Sequence, residues 1–200
     1  GTHVLVEKPV TETVDQARQL IAAAKAAGRV LHGGHLERFN AAILAAEPWL
    51  SKPRFIECQR LAPYKQRGTD VDVVLDLMIH DIDIVQSIVG SDIDAIDAIG
   101  TSVFSGEIDI ANARIRFANG CVANTTASRV SLKTERKMRV FRDDAYLSID
   151  LQQKILTVAV NPAVDLSTRV ERMLANRKLR CAGAHVEPGG GGINVSRVIR

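Results

Sequence analysis

The chain has 200 residues, 46% hydrophobic and 24% charged, with a formal net charge of +3, the profile of an ordinary globular protein of one or two domains. So small and scattered an excess of positive charge excludes an electrostatic case for nucleic acid or an anionic membrane, the Lys133–Arg142 cluster reading as a solvated strand face. No apolar run is long enough to span a bilayer. The cysteines Cys58, Cys121 and Cys181 are odd in number, far apart and without a C-x-x-C pair, so a cytoplasmic location and no metal site are expected.

His3–Val6 is a short apolar run with β-branched residues and predicts a buried strand, with "EKPV" at its end. Thr13 is a good N-cap; Val14, Ala17, Leu20, Ile21 and Ala24 fall at helical spacing, and Gly28 closes the helix. "RVLHGGH" is a second strand running into a Gly-Gly turn, so the opening predicts a strand–helix–strand unit, ordinarily parallel. Arg38–Leu50 reads as a helix weakened by Pro48, "RFIECQRLA" alternates as a strand, and Asp70–Val89 predicts a strong helix stopped by Gly90. Strand candidates then follow in series: "DAIDAIGTSVF", "DIANARIRFANG", "CVANTTASRV", "ERKMRVFRDD" and "AYLSIDL", with "ANGC" and "RDDA" as hairpin turns. This predicts a mostly antiparallel sheet beside a helical segment, an α+β arrangement. The character changes near Lys154, where another strand and turn lead to a glycine run opening a final helix. Neither G-x-G-x-x-G nor a P-loop occurs.

The apolar stretch "VVLDLMIHDIDIV" carries Asp76 and His80 at i, i+4, which share one face of a regular helix. The carboxylate can orient the imidazole, which titrates near neutrality and suits a general base. The same pair reads equally as a helix acid and a satisfied core histidine; a metal reading needs further ligands, such as His32 or His35. Lys8 sits at the C-terminal end of a predicted parallel strand, where α/β proteins place ligands, with Glu7 as charge partner and Pro9 fixing the backbone; the alternative is a surface lysine. "GGHLERFN" brings His35, Glu37, Arg38 and Asn40 together, as a polar floor under a substrate or as helix-capping groups. Gly189–Gly192 before Ile193 suits an anion cradle or a flexible linker.

In order and spacing, "VLVEKPV", "GHLERFNAA" and "LDLMIHDIDIV" resemble the Gfo/Idh/MocA family of NAD(P)-dependent sugar dehydrogenases over roughly residues 1–153, and most closely its UDP-N-acetylglucosamine 3-dehydrogenase-type members. The resemblance implies that Lys8 lies beside the nicotinamide and the substrate hydroxyl, flanked by Glu7 and Pro9 on the cofactor side. It implies His80 as general base, Asp76 as its orienting acid, and His35, Arg38 and Asn40 as substrate contacts. The cofactor would be NAD or NADP, although the family's glycine-rich turn lies upstream of E-K-P and is missing from this sequence.

From Ile155 on, "NPAVD" and "GGGGIN" resemble the start of PfkB-type sugar kinases, which implies sugar contacts at Asp165, Gly190, Gly191 and Asn194. The expected organisation is the end of a Rossmann-type βαβ unit over 1–34, a helix-covered and mostly antiparallel sheet domain over 35–154, and an incomplete α/β kinase segment over 155–200. Residue 1 is Gly, and the first residues read as a strand already under way, so a piece of a longer protein is expected. The expected function is oxidation of a secondary sugar hydroxyl, by a fragment inactive alone. Other readings are a non-catalytic sugar-binding or dimerising fragment associating through an open sheet face, a kinase fusion piece, and a gene fragment with no function. A small-molecule sugar or sugar nucleotide is the expected partner, with no nucleic acid and no membrane.

Overall fold

The opening unit forms because its local signals agree. β1 (Val4–Glu7) pairs in parallel with β2 (Leu31–Gly34), and α1 (Val14–Ala26) crosses between them. Thr13 caps α1 reciprocally: Gln16 N–H donates to Thr13 Oγ1 at 3.3 Å, and Thr13 N–H donates to Gln16 Oε1 at 3.1 Å. Gly28, at φ +59°, supplies the left-handed exit. The two glycines expected to form a turn instead end β2, and His35 N–H closes the turn by donating to the Gly33 carbonyl at 3.0 Å. In the computed structural model, residues 1–65 and 70–160 are described in full, together with the backbone of strands Ala163–Arg169 and Ala182–Gly189.

The two helices predicted in the middle differ from expectation in instructive ways. Arg38–Leu50 is not one helix. A 3₁₀ turn (Leu36–Phe39), α2 (Ala41–Ala46) and a second 3₁₀ turn (Glu47–Trp49) replace it. Asn40 breaks the run with extended backbone, its side chain accepting the Ala42 N–H at 3.0 Å, and Pro48 has no N–H to continue the ladder. The helix predicted from Asp70 begins instead at Asp72, whose Oδ1 accepts the N–H groups of Val74 and Leu75 at 3.0 and 2.9 Å. A π-helical turn, Val74–Met78, then leads into α3 (Ile79–Val89), which Gly90 ends at φ 56°.

The sheet has seven strands in the order β4-β5-β6-β3-β7-β8-β9. They are β3 (Phe55–Leu61), β4 (Ile93–Thr101), β5 (Ile110–Phe117), β6 (Val122–Ser128), β7 (Glu135–Phe141), β8 (Ala145–Asp150) and β9 (Ile155–Val160). The sheet is mixed: every pairing is antiparallel except β3–β6, which is parallel. That exception follows from connectivity, since the polypeptide leaves β3 through α3 and a whole hairpin before returning beside it. Alternation puts Ile56, Met138, Val140 and Leu147 on one face, fully buried against Ala46 and Val85 of the helices. The opposite face carries Phe55, Phe141 and Tyr146, ring to ring at 5.7 and 5.1 Å, and the cross-strand pair Glu57–Arg139 at 3.0 Å.

Asp109, fully buried in the β4–β5 connection, locks the end of the sheet nearest the start of the helix. Its Oδ2 accepts the N–H groups of Val103, Phe104 and Ser105, and its Oδ1 accepts Ser105 Oγ–H and Arg129 Nε–H, all within 2.9 Å. Burial pushes this carboxyl up, but those donors outweigh it and hold it well below the usual carboxylate range. Arg129 also donates to the Val71 carbonyl at 2.7 Å, so the knot holds the segment entering the Asp76–His80 helix.

In the last segment, β10 (Ala163–Arg169) and β11 (Ala182–Gly189) pair antiparallel as a separate two-stranded sheet. The expected final helix, with Gly190, Gly191 and Asn194, lies outside the described residues, as does the side chain of Asp165.

Candidate active site

Lys8 follows β1 directly, and the Lys8–Pro9 bond is cis. Its Nζ donates to the backbone carbonyl oxygen of Asp76 at 2.5 Å and to Asp76 Oδ1 at 3.2 Å. This contact ties the βαβ unit to the helix of the sheet domain, and it leaves one ammonium hydrogen for a further acceptor. The two side chains keep 21% and 31% exposure, enough for a small molecule to reach them. Glu7 sits opposite Gly34 in the strand register. A Cβ on Gly34 would lie 3.1 Å from Glu7 Oε2 and 3.2 Å from the Val6 carbonyl oxygen, so a larger residue here would press on the carboxylate where it lies against β2.

His80 stands in the first turn of α3, half-buried. Burial, then the charges of Arg60 and Lys8, lower its pKa to about 4, against a weaker upward pull from Glu37. The imidazole is therefore neutral at physiological pH. Its Nδ1 is buried without a hydrogen-bond partner. No hydrogen bond joins Asp76 to His80 among the described residues: Asp76 is taken by Lys8. Positions i and i+4 share a face in a regular α-helix, and the π turn at Val74–Met78 changes the angular offset between Asp76 and His80.

Behind His80 lies a series of charges that sequence motifs do not single out. Arg60 grips Asp81 through both arms, Nε to Oδ2 at 3.0 Å and Nη2 to Oδ1 at 2.8 Å. Their side chains are only 2% and 3% exposed. Arg60 Nη2 also lies 3.5 Å from Glu37 Oε2, and Arg136 Nη1 donates to Glu37 Oε1 at 3.4 Å. One signal is present in the sequence: alternation through "RFIECQRLA" puts Arg60 on the same face as Ile56 and Cys58, a charge where the strand pattern demands an apolar residue.

The "HLERFN" residues have their polar atoms partly engaged. Arg38 forms a bidentate pair with Asp83, with Nε to Oδ2 at 2.8 Å. His35 Nδ1 lies 3.9 Å from Asp83 Oδ1 and has no hydrogen-bond partner. Asn40, besides capping α2, donates to the Leu151 carbonyl at 2.9 Å, so both ends of its amide hold the fold. His32, Gly33, His35, Arg38 and Phe39 line a small cleft of about 160 Å³. A larger groove of about 410 Å³ runs between α2 and α3, lined mostly by apolar side chains such as Ile43, Leu44 and Ile88; Lys8, Asp76 and His80 are not in its wall. Among the described residues no three His, Cys, Asp or Glu side chains gather as a metal-binding group, and no helix is long and apolar enough to cross a membrane.

Comparison with known proteins fits this geometry. The GFO/IDH/MocA C-terminal domain family matches residues 14–148. Over 159 residues the chain is 38% identical to UDP-N-acetylglucosamine 3-dehydrogenase of Acidithiobacillus ferrooxidans, covering 79% of this chain and 51% of that protein. A solved structure of that enzyme superposes with a TM-score of 0.74, covering 79% of this chain and 53% of that one. Levoglucosan dehydrogenase, in complex with NADH and L-sorbose, shares the fold with a TM-score of 0.73 at 18% identity, over 91% of this chain and 54% of that one. A stretch of 46 residues is 44% identical to ATP-dependent 6-phosphofructokinase isozyme 2 of Mycobacterium tuberculosis, covering 23% of this chain and 14% of that protein. The chain spans about half the length of the dehydrogenase it matches.

Proposed function

Since the chain belongs to the GFO/IDH/MocA family, we propose that it forms the substrate-side half of an oxidoreductase acting on a secondary hydroxyl of a sugar or sugar nucleotide. The observation that carries this reading is the Lys8–Asp76 contact across the junction of the βαβ unit and the sheet domain, with the neutral His80 four residues further along the same helical segment. Lys8, held by Asp76, has a hydrogen left to donate to a hydroxyl oxygen and stabilises the charge that develops there. His80, kept neutral, accepts the hydroxyl proton. A bound nicotinamide supplies the hydride acceptor. The end of β1 and the cleft beside Gly33 suit the reacting end of such a cofactor, whereas the sequence holds no G-x-G-x-x-G turn for its phosphates.

UDP-N-acetylglucosamine is the sugar nucleotide to try first, because the enzyme named for it shares 38% of aligned residues with this chain. Saturation-transfer NMR is expected to show contact with its sugar ring, weakened at least tenfold in Lys8→Ala and His80→Ala. No turnover with NAD or NADP is expected from this chain alone. Absence of sugar contact in the folded protein would sink the reading, and steady formation of reduced nicotinamide would show that no further cradle is needed.

A second reading concerns the sheet face opposite the helices, which no helix among the described residues covers. Its row of Phe55, Phe141 and Tyr146 favours self-association, which light scattering separates from a monomer. For residues 155–200, the 46-residue likeness to a phosphofructokinase supports a PfkB-type beginning, to which we assign sugar contact and no catalysis.

A further inference from the structure

Buried charges are a poor way to gain stability: an apolar pair of similar size in the same place commonly does as well. The Arg60–Asp81 pair is buried almost completely, yet it does not stand alone in the core. It is the inner end of an alternating series, Asp81, Arg60, Glu37, Arg136, which runs outward from the residue that follows His80. At 2% exposure Arg60 cannot touch a substrate. It can act only through what it holds.

We propose that Arg60 is a positioning residue that, by clamping Asp81 and sharing Glu37 with Arg136, fixes the place of the adjacent His80. The proposal rests on the reading of His80 as the proton acceptor.

Three features support it. First, the bidentate grip is directional: a guanidinium bound through Nε and Nη2 sets the roll of the helix at Asp81, and with it the adjacent residue. Second, His80 Nδ1 is buried without a hydrogen-bond partner beside this cluster, whereas Glu37 is held between Arg60 and Arg136. A buried polar atom left unpaired is rare in a folded core and calls for an explanation other than stability. Third, the surrounding charges act on the imidazole from separate elements. Lys8 faces it from the end of β1, Arg60 from β3 and Arg136 from β7, each disfavouring a second positive charge; Glu37, from the 3₁₀ turn before α2, acts the other way. Asp76, Asp81 and Asp83 on its own helix are engaged by Lys8, Arg60 and Arg38 respectively. The base is thereby kept ready to accept a proton without a carboxylate bound to it.

The test is a histidine-ring NMR titration of the 200-residue protein. Arg60→Met leaves Asp81 buried and unpaired and endangers folding, so Arg60→Met/Asp81→Leu, which removes both charges and keeps apolar volume, is the main variant. His80 in the folded double variant is expected to titrate higher than in the parent, because one of the cations that lowers it is gone. Arg60→Lys, which keeps the charge and loses the fork, should titrate within a few tenths of the parent while the His80 ring signals broaden or move. Glu37→Gln should shift the titration downward, a reversal of sign that a purely structural role would not produce. An unchanged His80 titration in the folded double variant, or an upward shift in Glu37→Gln, would overturn the assignment. The measurement needs no substrate, so failure of sugar binding would refute the proposed function and leave this result to be judged by itself.

Discussion

His80 is a histidine whose pKa falls on folding, from 6.5 to about 4. Burial and the neighbouring cations disfavour its charged form, so the unfolded state binds the proton more tightly than the folded one. The contribution is therefore complete above the unfolded pKa and is lost as pH falls from 6.5 toward 4. With solvent screening at a half-open ring, the loss is on the order of 1–2 kcal/mol. Asp109 and Glu135 are carboxyls held low by their donors, and they have the usual carboxylate sign: their contributions are present above the unfolded pKa and decline at still lower pH. Thermal unfolding followed against pH should show a first decline below neutrality and a steeper one in the acid range. His80→Gln should remove the first decline only. A melting curve whose shape in that upper window does not depend on residue 80 would contradict the assigned environment.

The elements show where local signals suffice. α1 forms where its cap, spacing and terminal glycine place it, because each of those interactions lies within one turn of the backbone. It buries no residue, and among the described residues the sheet it crosses has just the two strands β1 and β2. α2 packs Ala42, Ile43 and Ala46 into the core, and one residue ties both its start and its neighbour. Asn40 caps its first turn and reaches across to Leu151 at the end of β8. Asn40→Ala removes a cap and a partly buried hydrogen bond, and should destabilise the fold by about 2 kcal/mol. Asn40→Asp keeps the acceptor that caps α2 and loses the donor to Leu151, so it should fall between. Urea unfolding of both variants checks the order, and equal stability of Asn40→Ala and the parent would show that α2 is held by packing alone.

For the whole molecule, the sheet decides what belongs together. Ile155–Val160 begins the segment whose sequence resembles a kinase, yet it pairs antiparallel with β8 along its length, from Asp150 opposite Ile155 to Ala145 opposite Val160. Leu156 and Val158 pack against the main core. Amides of β9 that face β8 should therefore exchange as slowly as those of β8 itself, and exchange at the rate of a free tail would refute the pairing. The sheet is also what brings the site together. β3 supplies Arg60 and β7 supplies Arg136, while the helix crossing between β3 and β6 supplies Asp76, His80 and Asp81.

By itself the sequence determined the elements with local causes: the capped α1, the strands read from alternation, the stop at Gly90, and the three motifs that hold Lys8, Asp76 and His80. Periodicity and capping act over a few residues, so they survive without a tertiary context. The parallel β3–β6 junction, the π turn that moves Asp76 onto Lys8, and the Arg60–Asp81–Glu37–Arg136 series were decided only by the tertiary structure. Each of these joins residues far apart in sequence. Nothing within a few residues of Arg60 says which carboxylate will meet it, and a lone charge on the buried face of a strand shows only that some partner must.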